Sequence, residues 1–271
     1  MLLLIDIGNS DITIGLCENE SVQHTLRLGT LMAAEDAGMF SRLLRDFIRD
    51  NGMQQPRGAA ICSVVPGVTP LLTGALQREF DIEPLIVTHR LKTGLRFSVK
   101  NINGLGADRI AGAAAARRLY TGDLVVVDFG TATTFNVVTQ AGEYMGGAIM
   151  PGPGLSADSL AGKTAKLPRV DLNGPVRIPG RDTAENIRAG VILGHAGAVE
   201  RIISEMENEL KTDLSLIATG GFSRLITPYM KIDPVDINPL LTLQGLRFIY
   251  EMNSGVLSKN ASVREAINSG G

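Results

Sequence analysis

Twice in this chain an aspartate closes an apolar run and stands directly ahead of a glycine turn. The first is Asp6 in LLLIDIGNSDITIGL (residues 2–16), the second Asp128 in LVVVDFGTATTFNVV (residues 124–138). With one segment set over the other, Asp6 falls on Asp128, Gly8 on Gly130 and Asn9 on Thr131. Glycine and small polar residues let backbone N–H groups and hydroxyls approach phosphate oxygens closely. A carboxylate beside phosphates repels them unless a cation lies between, and Mg²⁺ favours that arrangement of carboxylate, waters and phosphates. One such Asp alone is better explained as the cap of its own turn. Two at equivalent places point to cation-positioning residues in a nucleotide cleft.

A third locus is NGLGADRIAGAAAARRL (residues 103–119). Gly104 and Gly106 lead into an Ala-rich helix, with Asp108 and Arg109 in its first turn. An acid there complements the helix dipole, which accounts for Asp108 but not for the cation beside it. Arg109 at a helix start with free amides suits an anionic substrate group, and Asp108 would then accept a substrate hydroxyl proton. On residue type alone both accounts of Asp108 stand. Rival motifs are weaker. ADSLAGKT (157–164) has Ala157 where a P-loop begins with Gly, follows PGPGL, and precedes Pro168, so the strand-loop-helix context is missing. GPGLSA, a loose dinucleotide fingerprint, contains Pro153. His24, His89 and His195 are scattered, and no His-Glu or Cys-Cys spacing suggests zinc.

The elements that must hold these residues follow from periodicity. The apolar runs read as buried strands and Gly-Asn-Ser as a turn, giving a hairpin over 2–16 and a third strand from Val22 to Arg27. Met39, Leu43, Leu44, Phe47 and Ile48 are spaced for a helix within Ala33–Asp50. A strand at Ala59–Val64, a helix at Val68–Phe80, a strand at Leu85–Val87 and the Ala-rich helix at 106–119 follow. The second hairpin has GEYMGGAIM as its third strand, and PGPG breaks the chain at 151–154. Next come one or two helices from Asp182 to Leu210, a strand at 214–218 ending in Thr219-Gly220-Gly221, and an amphipathic helix over Leu241–Asn253 before a polar, frayed tail. The whole is a duplicated β-β-β-α-β-α unit with one Asp-x-Gly hairpin per half.

Composition sets the bounds. A chain of 271 residues, 44% apolar and 20% charged, suits two modest soluble domains. A net charge of -2 leaves no broad basic face, so no nucleic-acid partner is expected. The first apolar run is too short for a signal peptide, and nothing approaches a transmembrane span, so no membrane partner is expected either. Cys17 and Cys62 lie in apolar strand-like runs and read as buried, reduced thiols, which suits a cytoplasmic location.

Together the motifs carry a resemblance. Asp-Ile-Gly-Asn-Ser at 6–10, Gly-Ala-Asp-Arg at 106–109, Asp-Phe-Gly-Thr-Ala-Thr-Thr at 128–134 and Gly-Gly-Ala-Ile-Met-Pro-Gly at 146–152 resemble the type III pantothenate kinase family. So do Thr-Ala-Lys-Leu-Pro at 164–168, Thr-Gly-Gly at 219–221 and Leu-Thr-Leu-Gln-Gly-Leu-Arg at 241–247. They stand in family order over nearly the whole chain. The resemblance implies an α/β, duplicated actin-like (acetate and sugar kinase) fold around a nucleotide cleft, with an N-terminal domain at 1–115 and a C-terminal domain at 116–271. It implies transfer of the ATP γ-phosphoryl group to the terminal hydroxyl of pantothenate, the first step towards coenzyme A. By the same resemblance Asp6 positions Mg²⁺, and Asp6, Ile7, Gly8, Asn9, Ser10, Asp11, Ile12, Thr13 and Thr131 contact ATP. Asp108 is the general base. Gly106, Ala107, Asp108 and Arg109 hold pantothenate, with Arg109 on its carboxylate. Thr183 adds to that pocket across a homodimer interface, although Asp182, Thr183 and Glu185 also read as helix-start capping residues. Asp128 binds a monovalent cation, K⁺ or NH₄⁺.

Four places depart from the family pattern. Val99 stands where the family has Tyr, Asn136 where it has Asp, Asp11 where it has Asn, and Arg188-Ala189-Gly190 where it has Gln-Ser-Gly. The departures keep two alternatives open: a kinase of the same fold for another small hydroxy acid, and a nucleotide-binding regulatory paralogue with little turnover.

Overall fold

The structure is a computed structural model; it describes residues 1–35 and 37–268, with side chains except at 34, 37 and 256–268. In chain order the elements are β1 (Leu2–Ile7), β2 (Asp11–Glu18), β3 (Ser21–Gly29), α1 (Thr30–Glu35), α2 (Ala37–Asp50), β4 (Gly58–Ser63), α3 (Thr69–Phe80), β5 (Leu85–Ile86), β6 (Arg96–Phe97) and α4 (Ala107–Leu119). There follow β7 (Leu124–Phe129), β8 (Ala132–Val138), β9 (Glu143–Gly146), β10 (Ile149–Pro151), α5 (Pro153–Lys163), α6 (Thr183–Leu210), β11 (Ser215–Thr219), α7 (Ser223–Ile226), β12 (Asp236–Ile237) and α8 (Leu241–Asn268). No helix among the described residues is long and apolar enough to cross a membrane.

The chain divides into two compact units. Unit 1 holds Met1–Leu95, Asn101–Ala115 and the chain from Leu241; unit 2 holds Arg96–Lys100 and Ala116–Leu240. Each is built on a mixed sheet with the same core order. In unit 1 the order is β3-β2-β1-β4-β5, and in unit 2 it is β9-β8-β7-β11-β12 read from the other edge, with β6 added beside β9. In both, the Asp-bearing strand is central, antiparallel to the next strand and parallel to a later one. That position explains why β1 and β7 are apolar at nearly every residue: a central strand is covered on both faces.

In unit 1, Leu3, Ile5 and Ile7 join Phe40, Leu44 and Ile48 of α2 and Leu72 and Leu76 of α3 in one core. Leu4 points to the opposite face, with Asp6 following it there by the two-residue period of a strand. Leu243 of α8 packs on that face, reaching Gly15 where an added Cβ would lie 3.0 Å away. In unit 2, Val125, Val127 and Phe129 pack against Ile192, Ala196, Val199 and Ile203 of α6, so Asp128 faces away from that helix.

Several elements differ from the sequence expectations. The third strand of unit 2 is interrupted: β9 and β10 both lie along β8. The break falls at Gly146, whose φ is +96°, and at Gly147, where a Cβ would sit 1.8 Å from the Phe135 carbonyl oxygen. PGPG ends β10 at Pro151, as expected, and also starts a helix, because Pro153 occupies the first turn of α5, where its missing N–H costs nothing. ADSLAGK therefore lies inside a helix and is no phosphate loop. The long segment from Asp182 is one helix; Asp182 caps it by accepting from the Glu185 amide, while Glu185 accepts from the Arg181 amide. The last helix extends to Asn268, past the expected Asn253, and residues 269–271 of the expected frayed tail lie outside the described residues. The expected 116–271 domain is corrected at its end. The chain from Leu241 belongs to unit 1, because close approach is built in on both sides: Gly245 abuts the Ala111 carbonyl, and Gly58 makes room for the Tyr250 ring.

Candidate functional site

The hairpin turn of unit 1 is fixed by backbone. The Gly8 N–H donates to the Asp11 carbonyl at 2.9 Å, and Thr30 at the start of α1 ties down the turn by donating its hydroxyl to Gly8 (2.7 Å) and its N–H to Ser10 (3.0 Å). Asn9 and Ser10 are exposed at the tip, whereas the side chains of Ile7 and Ile12 are wholly buried in the core. Any ligand contact from those two isoleucines comes from backbone. Asp11 forms an ion pair with Arg27 of β3 at 2.7 Å. The extra negative charge at this departure thus has a local partner.

Asp6 does not cap this turn. It sits opposite Cys62 in the parallel pairing of β1 with β4, and accepts a hydrogen bond from the Cys62 thiol at 3.2 Å. Burial pushes the Asp6 carboxyl up to about 7, the charge of Asp108 pushes it the same way, and the thiol and Arg27 offset this only in part. Asp108, second residue of α4, accepts from the Arg109 amide at 2.7 Å; burial raises its carboxyl and the Arg109 amide and charge oppose the rise. Gly106 leaves room for it, since a Cβ there would lie 2.4 Å from Asp108 Oδ1 and the carboxylate would have to shift. Gly106 and Ala107 also line a cavity of about 720 Å³ within unit 1, together with Ser63, Thr69, His89 and Asn103.

A cation suits Asp6 on charge grounds: the half-buried carboxylate lies near a second acid with too little positive charge to hold it ionised. Among the described residues no group of three or more His, Cys, Asp or Glu side chains gathers to cage a metal. One carboxylate completed by water and phosphate oxygens is the pattern of Mg²⁺ sites.

In unit 2 the equivalent turn is held from below, with the Gly152 N–H donating to the Thr131 carbonyl at 3.0 Å. Asp128 pairs in register with Thr219 of β11, as Asp6 does with Cys62. A Cβ on Gly220 would fall 2.3 Å from Asp128 Oδ1, and one on Gly130 3.5 Å from it. The two glycines thus leave room for this carboxylate beside the turn. Thr183 opens α6 and lines a mostly apolar groove of about 930 Å³ with Met150, Leu155, Leu160 and Ile187.

The comparisons with known proteins decide the family. The model of the type III pantothenate kinase family matches residues 2–205. The chain is 44% identical over 256 residues to the type III pantothenate kinase of Roseiflexus sp. (strain RS-1), covering 93% of this chain and 99% of that protein. It is 39% identical over 257 residues to that of Moorella thermoacetica, covering 94% and 100%. This chain belongs to the type III pantothenate kinase family. Among solved structures it is similar to a Campylobacter jejuni protein assigned to the Baf family of transcriptional activators, with TM-score 0.57, 20% identity, and 93% and 99% of the two chains covered. It is also similar to the polyphosphate/ATP-glucomannokinase of Arthrobacter sp. strain KM, with TM-score 0.50, 15% identity, and 92% and 97% covered. The fold is the actin-like ATPase fold with two mixed α/β sheet domains.

Unit 1 therefore brings together Asp6, Gly106, Asp108 and Arg109, and carries the turn Gly8–Thr13; Asp128, Thr131 and Thr183 lie in unit 2. Cys62, Ser63 and Thr69 were not among the expected site residues. Their signal lies in pairing rather than spacing, because Cys62 reaches Asp6 only through the parallel register of β4. Two of the other departures have structural partners. Arg188 donates to the Asp171 carbonyl at 3.0 Å, and Asn136 accepts from the buried Tyr144 hydroxyl at 2.8 Å while donating to Thr134. His195 is buried against Thr133, with Nε2 2.9 Å from the hydroxyl, in keeping with a structural role.

Proposed function

We propose that the protein phosphorylates pantothenate with ATP to 4'-phosphopantothenate, the first step of coenzyme A biosynthesis. The observation that carries this reading is the half-buried, electrostatically coupled Asp6–Asp108 pair at the end of β1 and the start of α4, in a chain of this family. Asp108 is the general base: burial raises its affinity for a proton, and Oδ1 is held by the Arg109 amide, which leaves Oδ2 for the acceptor hydroxyl. That proton passes to Asp108 as the hydroxyl oxygen bonds to the γ-phosphorus, the bond from phosphorus to the β–γ bridging oxygen breaks, and ADP leaves. Arg109 pairs with the pantothenate carboxylate, and Gly106 and Ala107 line the cavity that receives the acceptor.

Asp6 would hold Mg²⁺, and the turn from Gly8 to Thr13 and Thr131 would contact ATP. Bound there, Mg²⁺ supplies positive charge to the phosphate oxygens in the transition state. Asp128 would hold K⁺ or NH₄⁺, so replacement of potassium by sodium should lower turnover. The protein acts as a homodimer through α6, where Gly190, Gly194 and Gly197 are exposed and a Cβ on any of them would meet nothing within 4 Å. Thr183 at the start of that helix completes the pantothenate pocket of the dimer. Sedimentation as a monomer at micromolar concentration would contradict this. The two free buried thiols suit a cytoplasmic enzyme.

The test is ADP release measured with pantothenate, with other small hydroxy acids, and with no acceptor. Turnover with pantothenate alone is expected. Preference for another acid would make the protein a kinase of different specificity, and nucleotide binding without acceptor-dependent turnover would favour a regulatory paralogue.

A further inference from the structure

Beside each of the two repeat carboxylates the fold places a side-chain donor on the neighbouring parallel strand. Cys62 of β4 is in register with Asp6, and Thr219 of β11 is in register with Asp128. Both donor residues are buried, Cys62 completely and Thr219 to within 4%. In unit 1 the contact is a hydrogen bond, thiol to Asp6 Oδ1, at 3.2 Å. A lone carboxylate at a strand end can rotate about its last torsion, which is broad and two-fold. A donor fixed in the sheet on one side removes that freedom.

We propose that Cys62 is a positioning residue for cation binding: its thiol engages Asp6 Oδ1 and so directs Oδ2 towards the divalent ion. The proposal rests on the reading of Asp6 as the Mg²⁺-holding carboxylate. Cys62 itself touches neither cation nor substrate. Its neighbour Ser63 is occupied elsewhere, accepting from the Thr69 hydroxyl at 2.7 Å, so no second hydroxyl on β4 is aimed at Asp6 in its place. The thiol is a weak donor, and Ser at 62 would keep the direction of donation while Ala would abolish it.

The experiment compares Cys62→Ala, Cys62→Ser and Asp6→Asn by two readouts. One is the Mg²⁺ concentration for half-maximal ADP release at saturating ATP and pantothenate. The other is Mn²⁺ binding in the presence of ADP, followed by the electron paramagnetic resonance of the free ion. Cys62→Ala should raise both constants about tenfold, the worth of a hydrogen bond to a charged group, while the KM for pantothenate and kcat at saturating Mg²⁺ change less than about threefold. Cys62→Ser should restore both constants to within about twofold of wild type. Equal cation affinity in Cys62→Ala and wild type overturns the proposal, as does a loss that Ser does not rescue. Asp6→Asn separates the two layers: if it leaves cation affinity unchanged, the reading of Asp6 falls and the Cys62 role with it. If Asp6→Asn weakens the cation and Cys62→Ala does not, only the Cys62 role falls. Should Cys62→Ala fail to fold, the thiol can be read directly. In a Cys17→Ala background Cys62 is the sole thiol, and its S–H infrared band should shift on Asp6→Asn; an unshifted band overturns the proposal.

Discussion

Gly106→Ala is the substitution whose effect the geometry specifies most narrowly. The added Cβ would lie 2.4 Å from Asp108 Oδ1, about 1 Å inside ordinary contact. Gly106 has no left-handed φ, so alanine is tolerated by the backbone itself. The carboxylate must yield, and in yielding it loses the 2.7 Å bond from the Arg109 amide that orients it. A displacement of about 1 Å at a reacting group costs on the order of 10²-fold in rate. Stability should fall by about 0.5–2.6 kcal/mol: loss of one hydrogen bond to a charged group costs about 1.5–3 kcal/mol, and Gly→Ala returns about 0.4–1 kcal/mol by restricting the unfolded chain. The assay is kcat from ADP release at saturating pantothenate and ATP, beside thermal unfolding of the same preparation. Adding Asp108→Asn to Gly106→Ala should cost much less than the product of the separate effects, since both act on one carboxyl. A kcat within about threefold of wild type, in a folded Gly106→Ala protein, would refute the assignment of Asp108 as an oriented base.

The remaining expectations follow from the same contacts. Asp108→Asn should lower kcat by about two to four powers of ten with little change in ATP binding, and Arg109→Ala should chiefly raise the KM for pantothenate; retained activity in Asp108→Asn would leave the helix-dipole account of that residue. His195, whose pKa burial lowers from 6.5, favours its neutral form in the folded state, so the unfolded chain takes up its proton first. Its stabilisation is complete above about pH 6.5 and is lost as pH falls below it, so the stability advantage of wild type over His195→Gln should shrink between about pH 7.5 and about pH 5.5 in urea unfolding. A pH-independent difference would contradict this. Gly245→Ala would set a Cβ 1.9 Å from the Ala111 carbonyl oxygen, and should destabilise the protein by about 1–3 kcal/mol as α8 and α4 are forced apart; an unchanged melting temperature would argue against that packing.

What the sequence disclosed was what is local along the chain. The Asp-x-Gly hairpins and the repeat could be read because each lies within some fifteen residues, a short apolar run closed by Asp, a glycine turn and a second β-rich run. Asp108 and Arg109 could be placed in the first turn of α4 from the Gly-Ala-Asp-Arg run, and Asp182 could be read as a cap. What stayed hidden depends on partners distant in sequence. Cys62 meets Asp6 across 56 residues, through a parallel pairing that no short pattern encodes. The last helix belongs with unit 1 because Gly245 and Tyr250 find Ala111 and Gly58, contacts that leave no periodic trace. The helix at Pro153 was obscured for a different reason: Pro and Gly signal a turn and a helix start alike, and only the residues after them distinguish the two. Two-residue strands such as β6 and β12 are too short for alternation to be visible at all.

The central claim, that this chain transfers a phosphoryl group to pantothenate through the Asp108 carboxyl, is tested most directly by the fate of pantothenate itself. Wild type and Asp108→Asn would be incubated with ATP, Mg²⁺, K⁺ and pantothenate, and the acceptor analysed by ³¹P NMR and mass spectrometry. The account predicts one phosphoryl group on the terminal hydroxyl, formed in step with ADP by wild type and nearly absent with Asp108→Asn. Unmodified pantothenate alongside ADP release, or equal product from both proteins, would contradict it.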